Sequence, residues 1–212
     1  MAFASALLNN NTMKKNIFIL GFLWLAVAGC SGKNSDATTA GIKTTVEIPE
    51  YTSGGYASVI INKPVDFCFN TLTNVKLWPE INAGVTRAIT PENVVLEKGA
   101  KFTESITSPD PRLNSWQNEW TVEEFEPGKS FVIAGRDNFS KEEIHTRITY
   151  MFSGLSPAST LFKRTTEVTV DSVFVANADK IETEGLYRFL GSQWEMAMHL
   201  KKFVEAQDTI AE

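Results

Sequence analysis

The stretch DKIETEGLYRFLGSQWEMAMHLKKFVEAQ, residues 179–207, decides how the rest of the chain is read. Leu186, Phe189, Leu190, Trp194, Ala197, Leu200, Phe203 and Val204 recur along it at helical spacing, while Glu184, Arg188, Glu195 and Lys202 fall on the opposite side. The pattern predicts one long helix with a single broad apolar face, with Leu190 and Trp194 packed on whatever lies beneath. A face so rich in aromatic bulk needs a large apolar surface to rest on, and a curved antiparallel sheet supplies one.

That sheet is readable in the preceding residues. Tyr56 to Asn62 reads as a strand that ends at Lys63-Pro64, where the proline ring suits the first turn of a helix. Val65 to Leu72 and Val75 to Ile81 read as two short helices. From Val85 the pattern turns β-like, with runs at Val85 to Thr90, Val94 to Leu96, Lys101 to Thr107, Ser115 to Phe125, Phe131 to Gly135, Ile144 to Leu155 and Thr160 to Val170. Turn residues separate these runs at Pro91-Glu92-Asn93, Ser108-Pro109-Asp110-Pro111, Glu126-Pro127-Gly128-Lys129 and Ser156-Pro157. Connections this short join antiparallel neighbours. The fold class is α+β: about seven antiparallel strands wrapped on a long carboxy-terminal helix, with two short helices after the first strand.

That order, carried by Ile61 to Phe69, Leu77-Trp78-Pro79, Trp120-Thr121-Val122 with Pro127-Gly128, Tyr150-Met151-Phe152 with Ser159-Thr160, and Leu200 to Glu205, resembles the polyketide cyclase/dehydrase and START-related superfamily, which includes the Bet v 1-like proteins. The resemblance spans about Ala57 to Gln207 and implies the helix-grip fold. The sequence departs from the superfamily pattern in the turn from Asp137 to Glu143 and in Ser159, where a glycine is usual.

A bent sheet closed by a helix leaves space between them, and strand parity predicts its lining. Phe102, Glu104 and Ile106 share one face of their strand, as do Trp116, Asn118, Trp120 and Val122, and Ile144, Thr146, Ile148, Tyr150 and Phe152. Trp194 and Met198 would face them from the helix. The candidate ligand-binding set is therefore Phe102, Glu104, Trp116, Asn118, Trp120, Tyr150, Phe152, Trp194 and Met198. Aromatic members of such a set are more often plain core than ligand contacts. Glu104 and Asn118 face water instead if the parity is off by one. Arg164 shares a face with Phe162 and Thr166, which allows an internal guanidinium, although a surface strand position is the favoured expectation.

Catalytic patterns are absent from the sequence. His145, expected on an outward strand face, and His199, expected on the polar side of the helix, have no ligand-spaced partners, so no metal and no cofactor is expected. No nucleophile elbow, phosphate-binding glycine loop or dinucleotide fingerprint occurs. Glu123-Glu124 and Glu142-Glu143 read as solvated pairs. Three functions remain open: a START-like module binding a hydrophobic or amphipathic small molecule or lipid, a cyclase/dehydrase-like enzyme in which Glu104 or Tyr150 moves protons, and an envelope scaffold with a packed interior.

The amino terminus carries an address. Lys14-Lys15 precedes the apolar run Ile17 to Val27, which ends in LAVAGC at Cys30. This string resembles the bacterial lipobox, which implies cleavage before Cys30, acylation of Cys30 and loss of residues 1–29. Residues 1–12, before the second Met, read as a start-site extension. The alternative is an uncleaved anchor with Cys30 a bystander. Two or more acyl chains on one residue hold a protein stably at a membrane. Ser31, where an Asp favours inner-membrane retention, points to the periplasmic face of the outer membrane. Residues 30–45 are polar and small, a lipidated flexible tether, and 46–212 form the domain.

Loss of Lys14 and Lys15 leaves 18 basic against 25 acidic residues, a formal charge of −7. That balance argues against a nucleic-acid partner and against a polybasic grip on lipid. With Cys30 acylated, Cys68 has no partner for an intrachain disulfide and reads as a small buried hydrophobe.

Overall fold

The computed structural model describes residues 50–207 apart from 109–111, 113, 114, 139, 141 and 143. The expected signal peptide, Cys30, the tether and residues 46–49 and 208–212 lie outside the described residues. Strand β1 (Glu50–Ile61) leads through Lys63-Pro64 into helix α1 (Val65–Thr73), a 3₁₀ turn at Val75–Leu77 and the short helix α2 (Trp78–Ile81). Strands β2 (Thr86–Thr90), β3 (Lys101–Ile106), β4 (Trp116–Glu126), β5 (Ser130–Asp137), β6 (Ile144–Ser156) and β7 (Ser159–Asp171) come next as an antiparallel meander. β1 joins the far side by pairing with β7, so the sheet order is β1-β7-β6-β5-β4-β3-β2.

The register brings polar residues into line. Glu104 on β3 pairs with Asn118 on β4, and Asn118 pairs in turn with Asp137 on β5. Three polar residues thus stand in one row across adjacent strands. On the other side of the sheet's midline, Tyr150 of β6 is opposite Arg164 of β7. A bulge between Val122 and Glu124 bends β4 and adds to the curl of the sheet. Gly128, with φ of 71°, turns the chain from β4 to β5 in the left-handed region that favours glycine.

Two expectations about elements are corrected. Val94 to Leu96 forms no strand: β2 pairs directly with β3, so these residues are the hairpin connection, with Val94 and Leu96 tucked against the core. The single long helix is also interrupted. After α3 (Ser172–Asn177), the chain forms α4 (Lys180–Gly191) and α5 (Gln193–Ala206), parted at Ser192. Asp179 starts α4 with a capping box to Glu182, which satisfies the free amides of its first turn. Gly191 and Ser192 are weak helix formers, and the Ser192 hydroxyl turns back to the Phe189 carbonyl at 3.0 Å.

The break sits on β1 because Gly55 leaves room for it. A Cβ there would lie 2.6 Å from the Leu190 carbonyl oxygen and 2.9 Å from Gln193 Cγ. Beyond it, α5 buries Gln193, Ala197, Leu200 and Val204. Trp194, about 100° further round the helix, is left 57 % exposed. Its expected packing on the sheet is therefore wrong, although Leu190 does pack with Ile144, Val168, Val170 and Phe174.

The main core lies between the sheet and helices α1 and α5. Phe69 of α1 meets Phe125 and Phe152 edge-on, with ring centroids 5.3 Å away in both cases. Phe131, Tyr150, Phe162 and Phe152 continue the chain of ring contacts across β5, β6 and β7. Cys68 is fully buried beside them, as expected of a small hydrophobe, and burial pushes its thiol pKa up.

Candidate functional site

The inward alternation of β3, β4 and β6 holds: Phe102, Glu104, Ile106, Asn118, Trp120, Val122, Ile144, Thr146, Ile148, Tyr150 and Phe152 are all buried. Packing, however, fills only part of the interior. A cavity of about 430 Å³ remains between the sheet and the α4–α5 segment, within the range of about 300–1,000 Å³ common for small-molecule sites. Its apolar wall includes Trp78, Ile106, Trp116, Trp120, Ile148, Tyr150, Phe189, Met196 and Leu200. Its polar wall includes Thr86, Glu104, Asn118, Asp137, Arg164 and Arg188. A fully packed scaffold would have no such space.

Each buried carboxylate is held by an indole and a hydroxyl. Glu104 accepts from Thr86 Oγ1 at 2.6 Å and from Trp120 Nε1 at 3.0 Å. Asp137 accepts from Trp116 Nε1 at 2.9 Å and from Thr146 Oγ1 at 3.1 Å. Burial raises the pKa of Glu104, opposed by Thr86 and Trp120, raised further by the charge of Asp137 and lowered by that of Arg164. Burial pushes Asp137 up to about 6 against the hydrogen bonds from Thr146, Trp116 and Asn118. The neutral acid is the form that loses least on leaving water.

Arg164 corrects its expected surface placement: it is 4 % exposed. Its guanidinium donates to Thr166 Oγ1 at 2.8 Å and to Gln193 Oε1, and lies 5.8 Å from the Tyr150 ring centre. Thr166 donates to the same Gln193 oxygen at 2.9 Å, and Gln193 Nε2 donates to the Phe189 carbonyl at 2.8 Å. Gln193 is thus the polar clasp between β7 and the junction of α4 and α5. Three buried atoms of wall residues, Arg164 Nε, Asn118 Oδ1 and Asn82 Oδ1, have no hydrogen-bond partner.

Of the residues expected to meet a ligand, Glu104, Trp116, Asn118, Trp120 and Tyr150 come together on the cavity wall. Phe102 and Phe152 point inward but are absorbed by the core, the first against Trp78 and the second against Phe69 and Phe162. Trp194 faces outward and Met198 packs half-buried on the core, so neither reaches the cavity. His199 is exposed, on the polar side of the helix as expected, with Nε2 against the Ile81 carbonyl. His145 is on the outward face as expected. Glu123 is exposed and paired with Arg147, but Glu124 is half-buried and accepts from Ser130, so that acidic pair is only partly solvated. Among the described residues, no cluster of three His, Cys, Asp or Glu could hold a metal, and no helix is long and apolar enough to cross a membrane.

No sequence-family profile matches the chain, and no curated protein matches it either. Solved structures do. Norcoclaurine synthase from Thalictrum flavum in complex with dopamine and hydroxybenzaldehyde superposes with a TM-score of 0.52 at 14% identity, covering 84% of this chain and 100% of that one. The Zhui aromatase/cyclase from Streptomyces sp. R1128 gives 0.54 at 13% identity, covering 73% of this chain and 94% of that one. The di-domain aromatase/cyclase BexL gives 0.56 at 15% identity, covering 74% of this chain and 51% of that one. The fold is the helix-grip fold. At 13–15% identity, the likeness to these neighbours is one of fold.

Asp137 and Arg164 are polar wall residues outside the expected ligand set, and Gln193, which accepts from Arg164, was also missed. For Asp137 a signal existed, because extending the inward positions Phe131, Ile133 and Gly135 by two residues reaches it. The expected strand stopped at Gly135, whereas β5 runs to Asp137. Gly135 also gives Trp120 room: a Cβ there would meet the Glu119 carbonyl oxygen at 1.9 Å and the Trp120 ring at 3.1 Å. Gln193 had no such signal, since hydrophobicity favours its neighbour Trp194 for the buried face.

Proposed function

We propose that the mature chain is a bacterial envelope lipoprotein, anchored through acylated Cys30, whose helix-grip domain binds an amphipathic small molecule in the cavity over Trp120 and Tyr150. The observation that carries this reading is a cavity of about 430 Å³ whose wall is largely apolar yet includes buried Glu104, Asn118, Asp137 and Arg164. Apolar enclosure supplies the affinity, and a few fixed polar groups set the orientation. The LAVAGC string at Cys30 supports the anchor, and the ligand-bearing norcoclaurine synthase structure supports use of the cavity.

The test for binding is a screen of fatty acids, quinones and aromatic compounds, read by tryptophan emission and melting temperature. Trp78, Trp116 and Trp120 line the cavity, so occupancy changes their contact with water. A ligand at a hundred times its Kd adds about 2.7 kcal/mol of stability. A Trp120→Ala variant that binds every hit as tightly as the parent would put the site elsewhere. For the anchor, Cys30→Ser is expected to yield an unlipidated precursor or a soluble exported domain. Unchanged recovery in detergent-extracted membranes would remove the lipid from the reading.

A second reading, cyclase/dehydrase-like catalysis in the same cavity, is favoured by the pair Glu104 and Asp137. Asp137, pushed up to about 6, beside Glu104, whose pKa burial also raises, is a pair of carboxyls able to hold and pass protons. Glu104→Gln and Asp137→Asn separate the readings: binding that persists while turnover of a hit disappears supports an enzyme, and a hit that is never turned over by the parent supports a carrier.

A further inference from the structure

Arg164 brings a full positive charge to a wall almost closed to water, with its side chain 4 % exposed. Its hydrogen-bond partners are neutral, the Thr166 hydroxyl and the Gln193 amide, and the face of the Tyr150 ring lies alongside. Among the described residues, no carboxylate is within ion-pair distance of it, and Nε has no partner. Arginine remains protonated in proteins. A buried cation is ordinarily paired with an anion, because its lost hydration is otherwise not replaced. The two carboxylates of the cavity do not fill this role, for Glu104 is engaged by Thr86 and Trp120, and Asp137 by Trp116 and Thr146.

We propose that the cavity takes a small amphipathic carboxylate, its anionic head paired with Arg164 and its apolar body against Trp120, Tyr150 and Leu200. This rests on the ligand-binding reading above and narrows it to one head-group chemistry. The volume of about 430 Å³ suits a single chain or ring system and not a two-chain phospholipid. A hydroxyl on the body would meet the unpartnered Asn118 Oδ1. The other charged or titratable groups of the wall are Glu104 from β3, Asp137 from β5, Tyr150 from β6 and Arg188 from α4. Burial raises the pKa of both carboxyls, so acidification removes the negative charge that would repel a bound anion. Binding is therefore expected to tighten as pH falls from about 7.5 to 5.5, until the ligand itself begins to protonate.

The experiment uses the full mature chain and two probe series, decanoate and 2-naphthoate, each beside its methyl ester and the amine of the same skeleton. Thermal shift and tryptophan emission read the binding. The carboxylate is expected to bind about 10- to 100-fold more tightly than its ester, the range for a hydrogen bond to a charged group. Arg164→Gln is expected to abolish that preference, so that acid and ester bind alike. The better of the two series tells a chain from a ring. Equal affinity of acid and ester overturns the head-group assignment and leaves the cavity a binding site. Tighter binding of the amines overturns it in favour of Glu104 and Asp137 as anchors. If no member of either series binds, both this assignment and the binding reading fall. Should Arg164→Gln not fold, the comparison of acid, ester and amine on the parent protein decides alone.

Discussion

The two halves of the interior are built on the same inward alternation and end in opposite states. Under α1, Phe69 drives its ring between Phe125 and Phe152, and the aromatic contacts run on through Phe162, Tyr150 and Phe131 without a gap. Under the junction of α4 and α5, the covering side chains leave a space, and the strands turn Glu104, Asn118, Asp137 and Arg164 toward it. What differs is the cover. A helix that inserts an aromatic ring makes core, whereas a helix whose inward residue is Gln193, set over Gly55, leaves a chamber. Strand parity says which side chains are inside; the opposing element decides whether they touch one another or a ligand.

The largest effect is expected in the packed half. Phe69→Ala should cost about 3–5 kcal/mol in denaturant unfolding, the range for emptying a buried aromatic site, while leaving the ligand preference of any folded protein intact. A cost below about 1 kcal/mol would mean that this half is not the close-packed one.

In the hollow half the largest effect depends on pH. The folded-state pKa of Asp137, about 6, is raised above the ordinary 3.8. The native state therefore holds its proton more readily than the unfolded chain. The resulting stabilisation is fully present below about pH 4 and is lost as pH rises through about 6, an amount on the order of 3 kcal/mol. Glu104 acts in the same direction. Asp137→Asn should accordingly stabilise the fold above pH 6 and flatten the slope between pH 4 and 6. Parallel stability–pH curves for the variant and the parent would show that the cavity is too wet to penalise a carboxylate.

Smaller effects separate two neighbours on α5. Gln193→Ala removes the acceptor shared by Arg164 and Thr166 and should cost about 1–3 kcal/mol, the penalty for orphaned buried donors. Trp194→Ala, at a 57 % exposed position, should stay within about 0.5 kcal/mol. Equal costs at both positions would mean that the helix presents its face as hydrophobicity alone suggests. Reversed costs would restore Trp194 to the interior.

Much of the fold is readable locally. Turn residues and apolar runs anticipate β1 and each strand of the meander, with a false strand added at Val94 to Leu96, and alternation puts Glu104, Asn118, Trp120 and Tyr150 inside. These properties depend on a period of two along a strand, which the backbone imposes whatever covers it. Asp137 escapes that reading because a strand end is set by pairing with its neighbours, here Asn118 and Ile144, and not by its own composition.

Local sequence thus anticipates each observed strand, the inward faces of β3, β4 and β6, and the lipobox-like string at Cys30. It took the assembled fold to bury Arg164, to turn Gln193 and not Trp194 toward the sheet, and to make Phe102 and Phe152 core while Trp116 and Trp120 border a cavity. The reason is physical. Periodicity is a property of one segment, whereas a cavity and the state of a buried charge depend on the groups that distant segments bring opposite to it.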